Sequence, residues 1–340
     1  MRFIHIGDAH IREQTWANIP EVRGDASKAV FKVVDYAISH KIDTLVLSGD
    51  VFHSSKPTSR DIEIFNSLVK PFDYVLYIEG NHERSDPPWL NTLNAYGNMR
   101  HLTPSGVTIG DTQFYGIDYT RSSDDTIQAV ASVISDSMKD PKPVLVMHCG
   151  FKHMINFEGA SQIDATQVAP FKGLVLVSHV HKRKTYKNIH SPGPLFPQNW
   201  EEVGDCFVDL IDTDHCDIED IVKTIDVTVR NYHTIKLEDV KTFKDTPREL
   251  PTLVRVLTND PKDVIPEIKG CIVVPVITGK TNDGSAAENA VDVMSIDEAI
   301  MAEYEDKDDG SLMVDLFHSE SPEEYIDKFL INNNIDRRHL

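Results

Sequence analysis

The stretch Tyr74-Val75-Leu76-Tyr77-Ile78-Glu79-Gly80-Asn81-His82-Glu83 decides how the chain reads. Its apolar run predicts a strand buried on both faces. Gly80 then frees the backbone for a tight turn, which presents an oxygen donor, Asn81, beside an imidazole, His82. Glu83 has no evident task. The pattern of apolar strand followed by metal-type ligand recurs outward in both directions. Residues 2–6 lead into Gly7-Asp8-Ala9-His10 and residues 43–48 into Gly49-Asp50-Val51-Phe52-His53. Residues 143–147 lead into His148-Cys149-Gly150 and residues 174–177 into Ser178-His179-Val180-His181.

Between the first three strands, helical spacing predicts helices. Ala26, Ala29, Val30, Val33, Val34, Ala37 and Ile38 share one face of residues 25–40, and Ile62, Phe65, Leu68 and Val69 one face of residues 59–70. The resulting βαβαβ alternation implies a mainly parallel, covered sheet with right-handed crossovers. Its ligand site lies beyond the carboxyl ends of the strands. Residues 107–109 and 112–117 read as a hairpin about Gly110-Asp111, residues 126–138 as a helix, and residues 206–211 as a last strand. The fold class expected is α/β (α+β): two sheets face to face with helices outside.

After Asp212 the character changes. Short β-type runs at 225–234, 252–257 and 271–277 predict a small α+β capping domain over 213–285. A linker, Thr281-Asn282-Asp283-Gly284-Ser285, and two tail helices follow over 286–340. Ser295-Ile296-Asp297-Glu298 is a capping-box pattern, and Ser321-Pro322-Glu323-Glu324 a helix start with proline at the first position.

The chain of 340 residues is 40% hydrophobic, enough for one large domain and a smaller one. No apolar run approaches the ~18 residues of a membrane helix. The chain enters a strand directly from Met1, so a cytoplasmic location is expected. Cys149, Cys206, Cys216 and Cys271 are scattered without a CxxC pair, which argues against a disulfide framework or thiolate zinc site. The net charge of −20 argues against a general nucleic-acid binder. Much of it sits in residues 281–340, where 16 Asp/Glu against 4 Lys/Arg make −12. Such a tail is either solvated or meets a basic partner.

Asp8, His10, Asp50, Asn81, His148, His179 and His181 form an oxygen-and-nitrogen set suited to two divalent cations of the Mn, Fe or Zn type. If the two sit ~4 Å apart, one carboxylate must bridge them, and Asp50, from the central strand of the first three, is the choice. With 15 histidines some fall after strands by chance. A lone histidine there is more often structural; five such motifs, each after an apolar strand, make chance a poor explanation.

In this order the motifs resemble the calcineurin-like metallophosphoesterases over about residues 1–212. Gly49-Asp50-Val51-Phe52-His53 looks like the element of the SbcD-type DNA-repair nucleases, and Ser191-Pro192-Gly193-Pro194 resembles their turn after the last histidine pair. The length is similar to that of the phage-encoded recombination endonuclease subunits. Ser178 departs from the usual glycine, for which only a modest backbone change is expected.

The resemblance implies that Asp8, His10, Asp50 and His181 hold one metal and Asp50, Asn81, His148 and His179 the other, with Mn²⁺ expected. It implies that His82 protonates the leaving oxygen or stabilises the transition state, and that His53 assists by orienting His82 or the DNA phosphate. It further implies a DNA exonuclease and endonuclease working with an SbcC-type coiled-coil ATPase through the C-terminal helices, in double-strand-break processing, recombination and replication. A homodimer through the phosphoesterase domain is implied too; the sequence does not say whether residues 57–70 and 89–96 form its interface. Lys182, Arg183 and Lys184, the densest basic run, and Arg12 are candidate DNA contacts; Arg84 and Trp16 are weaker ones. A solvated turn explains the basic run equally well. A phosphodiesterase or phosphomonoesterase of small substrates would share the core, but has little need for a second domain and partner helices. A non-catalytic scaffold would not need every ligand and both extra histidines.

Overall fold

Fifteen strands build three sheets in a computed structural model that describes residues 1–277, apart from 17–18, 84–88, 95–96, 153–162, 205, 216–217 and 261. Arg84, Cys216, the end of the 89–96 segment, the linker and the acidic tail with its two helices therefore lie outside the described residues.

The chain runs β1 (Arg2–Ile6), α1 (Asp25–His40), β2 (Thr44–Ser48), α2 (Ser59–Val69), β3 (Tyr74–Ile78), a turn of helix α3 (Trp89–Thr92) and β4 (Met99–His101). It then forms β5 (Val107–Ile109), β6 (Thr112–Ile117), α4 (Ser123–Ser137), β7 (Pro143–His148), the short α5 (Ala165–Val168), β8 (Leu174–Ser178), β9 (Arg183–Tyr186) and β10 (Ile189–Pro192). It returns through β11 (Val208–Asp212), the short α6 (Ile218–Ile221) and β12 (Val222–Ile225), and ends with β13 (Tyr232–Lys236), β14 (Thr252–Thr258) and β15 (Cys271–Ile277). The first sheet has the order β12-β11-β1-β2-β3-β4, the second β5-β6-β7-β8-β10-β9, and the third β13-β14-β15. In the first, β1 to β4 are parallel, β11 runs antiparallel to β1, and β12 antiparallel to β11.

Side chains two apart share a face of a strand, and here both faces are covered. Phe3, Val46, Leu76 and Ile78 of the first sheet meet Phe114, Val144, Val146 and Leu176 of the second in one apolar layer. The rings of Phe3 and Phe114 touch edge to face at 5.2 Å. The intervening residues Ile4, Leu45, Leu47 and Val75 pack under α1 and α2. Leu145, Met147, Val175 and Val177 pack under α4. Burial on both sides is why these strands read as continuous apolar runs. On α1, Ile38 is 63% exposed, contrary to the helical-face expectation. On α2, Ile64 is fully buried and Ile62 only partly so, a rotation of the expected face by part of a turn.

Toward the ligand end the layer turns polar. His5 Nε2 and Ser48 Oγ are 2.9 Å apart, and His190 Nε2 meets Asp209 Oδ2 at 2.7 Å across the sheets. Arg183 reaches the other oxygen of Asp209 at 2.8 Å. Burial pushes the Asp209 carboxyl up, but His190 and Arg183 outweigh it and hold the carboxyl below its ordinary range. Burial pushes His5 down to about 3 against the pull of Asp209.

Three strands escape the sequence patterns. β4 has three residues, while β9 and β10 are mostly polar, so no apolar run marks them. β12 carries the first sheet past Asp212. The apolar run at 225–234 is split, its ends belonging to β12 and β13 in different sheets.

The third sheet is anchored by Trp16, whose Nε1 donates to the Pro197 carbonyl at 2.8 Å and whose ring stacks on Tyr232. Trp16 is thus a structural residue. Arg230, buried, forms an ion pair with buried Asp25 at the start of α1, at 2.7 Å. Among the described residues no helix is long and apolar enough to cross a membrane, and Cys149, Cys206 and Cys271 are free thiols. Removing one partner of a buried ion pair leaves the other charge uncompensated. Arg230→Ala is therefore expected to cost about 3–5 kcal/mol of stability in urea unfolding.

Candidate metal centre

All seven expected ligands converge where the carboxyl ends of the two sheets meet. Asp8 and His10 follow β1, Asp50 follows β2, Asn81 follows β3, His148 ends β7, and His179 and His181 follow β8. Their turns are tight. Asp8, His10, Asp50 and His179 have φ of 43°, 41°, 48° and 104°, a left-handed conformation that strains a non-glycine residue by roughly 1–3 kcal/mol and clusters at functional sites. A Cβ on Gly80 would collide with the carboxylate and amide nitrogen of Asp50, so this glycine exists to let Asp50 pass.

Three groups of donor atoms, Asp8 with His10 and His181, His10 with Asp50 and His82, and Asp50 with His148 and His179, each lie within 4.8 Å of one another. In the first, Nε2 of His10 faces Nε2 of His181 at 2.9 Å. In the third, Asn81 Oδ1 lies 3.1 Å from His148 Nε2 and 3.0 Å from His179 Nδ1. Asp50 stands between them. Its Oδ1 accepts the His82 backbone N–H at 2.9 Å. Its Oδ2 lies 3.7 Å from His10 Nε2 and 3.3 Å from His148 Nε2.

Three of the ring nitrogens that face away from the centre are held. His148 Nδ1 donates to the Ser48 carbonyl at 2.9 Å, with the Ser178 hydroxyl 3.0 Å away. Ser178 itself donates to the same carbonyl; its place in the chain thus carries a hydrogen bond as well as the small size expected of it. His181 Nδ1 donates to Glu202 Oε1 at 2.8 Å. Such outer partners set the tautomer and aim the other nitrogen inward. His82 Nδ1 donates to the backbone carbonyl of His53 at 2.6 Å, leaving Nε2 4.0 Å from Asp50 Oδ2. The orienting group is therefore the main chain of His53. The two rings are 5.7 Å apart, and the His53 ring lies 5.5 Å from that of His10.

The charges are mutually dependent. Burial pushes His148 down, yet Asp50 and Asp8 raise it to about 9. Burial likewise opposes His181, which Glu202 and Asp8 raise to about 9. Burial, and then His181, hold His10 well below the ordinary imidazole value. Burial and His148 take His179 to about 3, and burial with the Arg12 guanidinium takes His53 to about 3. Asp50 stays ionised because His148, His82 and His10 overcome its burial. Nδ1 of His10 is buried without a partner. A donor set of carboxylates, an amide oxygen and inward-turned imidazole nitrogens, of which those of His148 and His181 would give up a proton to a cation, fits divalent cations.

The candidate DNA contacts are placed differently from one another. Arg12 Nε donates to the Thr15 carbonyl at 3.1 Å, and exposed Lys182 reaches the Glu201 carbonyl at 2.8 Å. Arg183 is committed to Asp209 and, at 2.7 Å, to Thr224. Lys184, its neighbour on β9, is half-buried. Two carboxylates were not marked by the motifs. Glu202 comes from the loop after β10, and no local pattern distinguishes it. Glu83 stands inside the Gly80–Glu83 motif, 2% exposed, and accepts from the backbone N–H groups of Asp50, Val51, Phe52 and Gly80.

In cation-free buffer, Glu202→Gln replaces the charged acceptor that sustains protonated His181 with a neutral amide. The titration of His181, followed by NMR, is expected to fall from about 9 to 6.5 or below.

The family model described as calcineurin-like phosphoesterase matches residues 1–183. A protein of Halobacterium salinarum named DNA double-strand break repair protein Mre11 is 35% identical over 127 residues, 36% of this chain and 33% of its own. One of the same name from Saccharolobus solfataricus is 23% identical over 194 residues, 54% of this chain and 50% of its own. The chain thus spans half or less of the length of these curated relatives. Among solved structures, that of TT1561 of Thermus thermophilus has a TM-score of 0.47 at 15% identity, covering 66% of this chain and 98% of its own. The family match takes in all seven converging residues, and the chain is a member of the calcineurin-like phosphoesterases, hydrolases of phosphoester bonds.

Proposed function

We propose that this chain is a two-metal DNA nuclease, the nuclease subunit of an SbcCD-type complex for double-strand-break processing and recombination. The observation that carries the two-metal part is the position of Asp50 Oδ2 between two donor sets. On this reading Asp8, His10, Asp50 and His181 hold one cation, and Asp50, Asn81, His148 and His179 the other, with Mn²⁺ the native ion. When bound, the pair supplies water activation and neutralises the charge that develops on the phosphate.

The residues do the rest. His82, fixed through Nδ1 by the His53 carbonyl, presents Nε2 to the centre. From there it hands its proton to the departing 3′-oxygen as the P–O bond breaks, work suited to an imidazole near neutral pH. The His53 ring, beside His10, assists from the rim. Arg12, Lys182 and Lys184 are the basic groups proposed to meet the DNA backbone; Arg183 acts through Asp209.

DNA as substrate is supported by the named repair proteins among the relatives and by the additional sheet after β12. Action in the cytoplasm belongs to the same reading. Dimerisation through the phosphoesterase domain, and capture of a coiled-coil ATPase by the tail, rest on the sequence resemblance. Amphipathic helices of that kind lay an apolar face in a groove, and the acidic run complements a basic surface. The second reading is a phosphodiesterase or phosphomonoesterase of small substrates, since the catalytic core would be the same.

With Mn²⁺, linear duplex DNA is expected to be degraded in preference to p-nitrophenyl esters, and EDTA to abolish cleavage. Brisk monoester turnover without DNA cleavage would support the second reading instead. His82→Ala is expected to lower the DNA cleavage rate by ~10²–10⁴-fold with Mn²⁺ binding retained; a parent-like rate would remove His82 from the mechanism. Copurification with a coiled-coil ATPase is expected to need residues 290–340, which a truncation pull-down checks.

A further inference from the structure

Glu83 holds more backbone than any other side chain near the centre. Its Oε2 accepts the N–H groups of Asp50 and Gly80, both at 2.8 Å; its Oε1 accepts those of Val51 at 2.7 Å and Phe52 at 3.1 Å. It makes no ion pair with a lysine or arginine among the described residues. Four donors converging on two oxygens call for a group that accepts at both, which among side chains is a carboxylate; burial and Asp50 push it up to about 7 against the pull of the N–H groups. A glutamine would turn an NH₂ toward N–H groups, and an aspartate would fall short by a methylene.

The contact is reciprocal. Glu83 of the Gly80–Glu83 turn holds the main chain of the Gly49–Phe52 turn, while Asp50 of that turn accepts the N–H of His82 through Oδ1. A third tie runs from His82 Nδ1 to the carbonyl of His53. The turn so held is a strained one, with Gly49 at φ 93° and Asp50 at φ 48°, and left-handed residues persist only where their surroundings over-determine them. With Oδ1 occupied by His82, Oδ2 is the oxygen left to face both donor sets.

We infer that Glu83 is a positioning residue: by clamping the Gly49–Phe52 turn against Gly80 it sets the bridging oxygen of Asp50, and thereby the affinity and coupling of the two cations. The inference rests on the two-metal reading above. It uses Glu83 for a task that neither the motif nor the ligand set assigns.

Manganese titration by calorimetry, with EPR of the loaded protein, tests both and separates them. The parent is expected to take two equivalents of Mn²⁺ with an exchange-coupled EPR signal. A parent that takes none overturns the two-metal reading, and the inference with it. Glu83→Gln is expected to bind Mn²⁺ about 10–100-fold more weakly and to lose the coupled signal. Val133→Ala, a truncation in the remote core under α4, controls for lost stability and is expected to keep parent affinity. Parent-like affinity and coupling in Glu83→Gln, or equal weakening in Val133→Ala, overturns the inference. If Glu83→Gln does not fold by circular dichroism, Glu83→Asp decides alone: tenfold or greater weakening supports the role, and parent-like binding overturns it.

Discussion

One carboxylate oxygen, Oδ2 of Asp50, lies between two sets of inward-turned imidazole nitrogens, 3.7 Å from one and 3.3 Å from the other. Everything nearby is arranged around keeping it there. The partner oxygen is occupied by a backbone N–H, the turn that carries Asp50 is left-handed, and Gly80 has no side chain because Asp50 fills the space. The loop after β1 joins the same turn, with the N–H groups of His10 and Ile11 donating to the carbonyls of Asp50 and Val51 at 2.9 and 2.8 Å. A charged oxygen this deeply buried is tolerated only when opposite charge and hydrogen bonds surround it, and both are supplied from the ends of β1, β3 and β7.

The rest of the fold works as the support for that point. The apolar layer between the sheets brings β1–β3 and β7–β8 into register, so that their carboxyl ends open on one crevice. Just below, apolar contacts give way to the Asp209–His190 pair and the His5–Ser48 contact. This polar section ends at Ser48, whose carbonyl aims His148. The centre is therefore continuous with a hydrogen-bonded interior, which restricts rotation of the ligand rings more than packing alone would.

Much of this was legible in the residues. Apolar runs ending in Asp, Asn or His marked five strands and all seven converging side chains, because burial on both faces and a ligand at the strand end are local properties. The runs at 2–6, 107–109 and 112–117 match their strands residue for residue. Strands without such a signature went unmarked: β9 and β10 are polar, and β4 is three residues long. Arg183 illustrates the cost of reading charge locally. Beside Lys182 and Lys184 it looked like part of a basic patch, yet the pleat of β9 turns it toward Asp209, a residue 26 positions on.

The sequence by itself determined the alternation of strands and helices, the family, and the donor types, since each follows from periodicity or from motifs a few residues long. Only the tertiary structure decided which atoms face which: that Oδ2 of Asp50 is the oxygen turned to both donor sets, that Glu202 aims His181, that the His53 carbonyl rather than its ring orients His82, and that Glu83 clamps the turn of Asp50. The last three are contacts between segments 21 to 33 residues apart, made when turns at the strand ends come side by side. No local pattern encodes them, because a carboxylate that accepts three distant N–H groups has the same sequence neighbours as one that faces water.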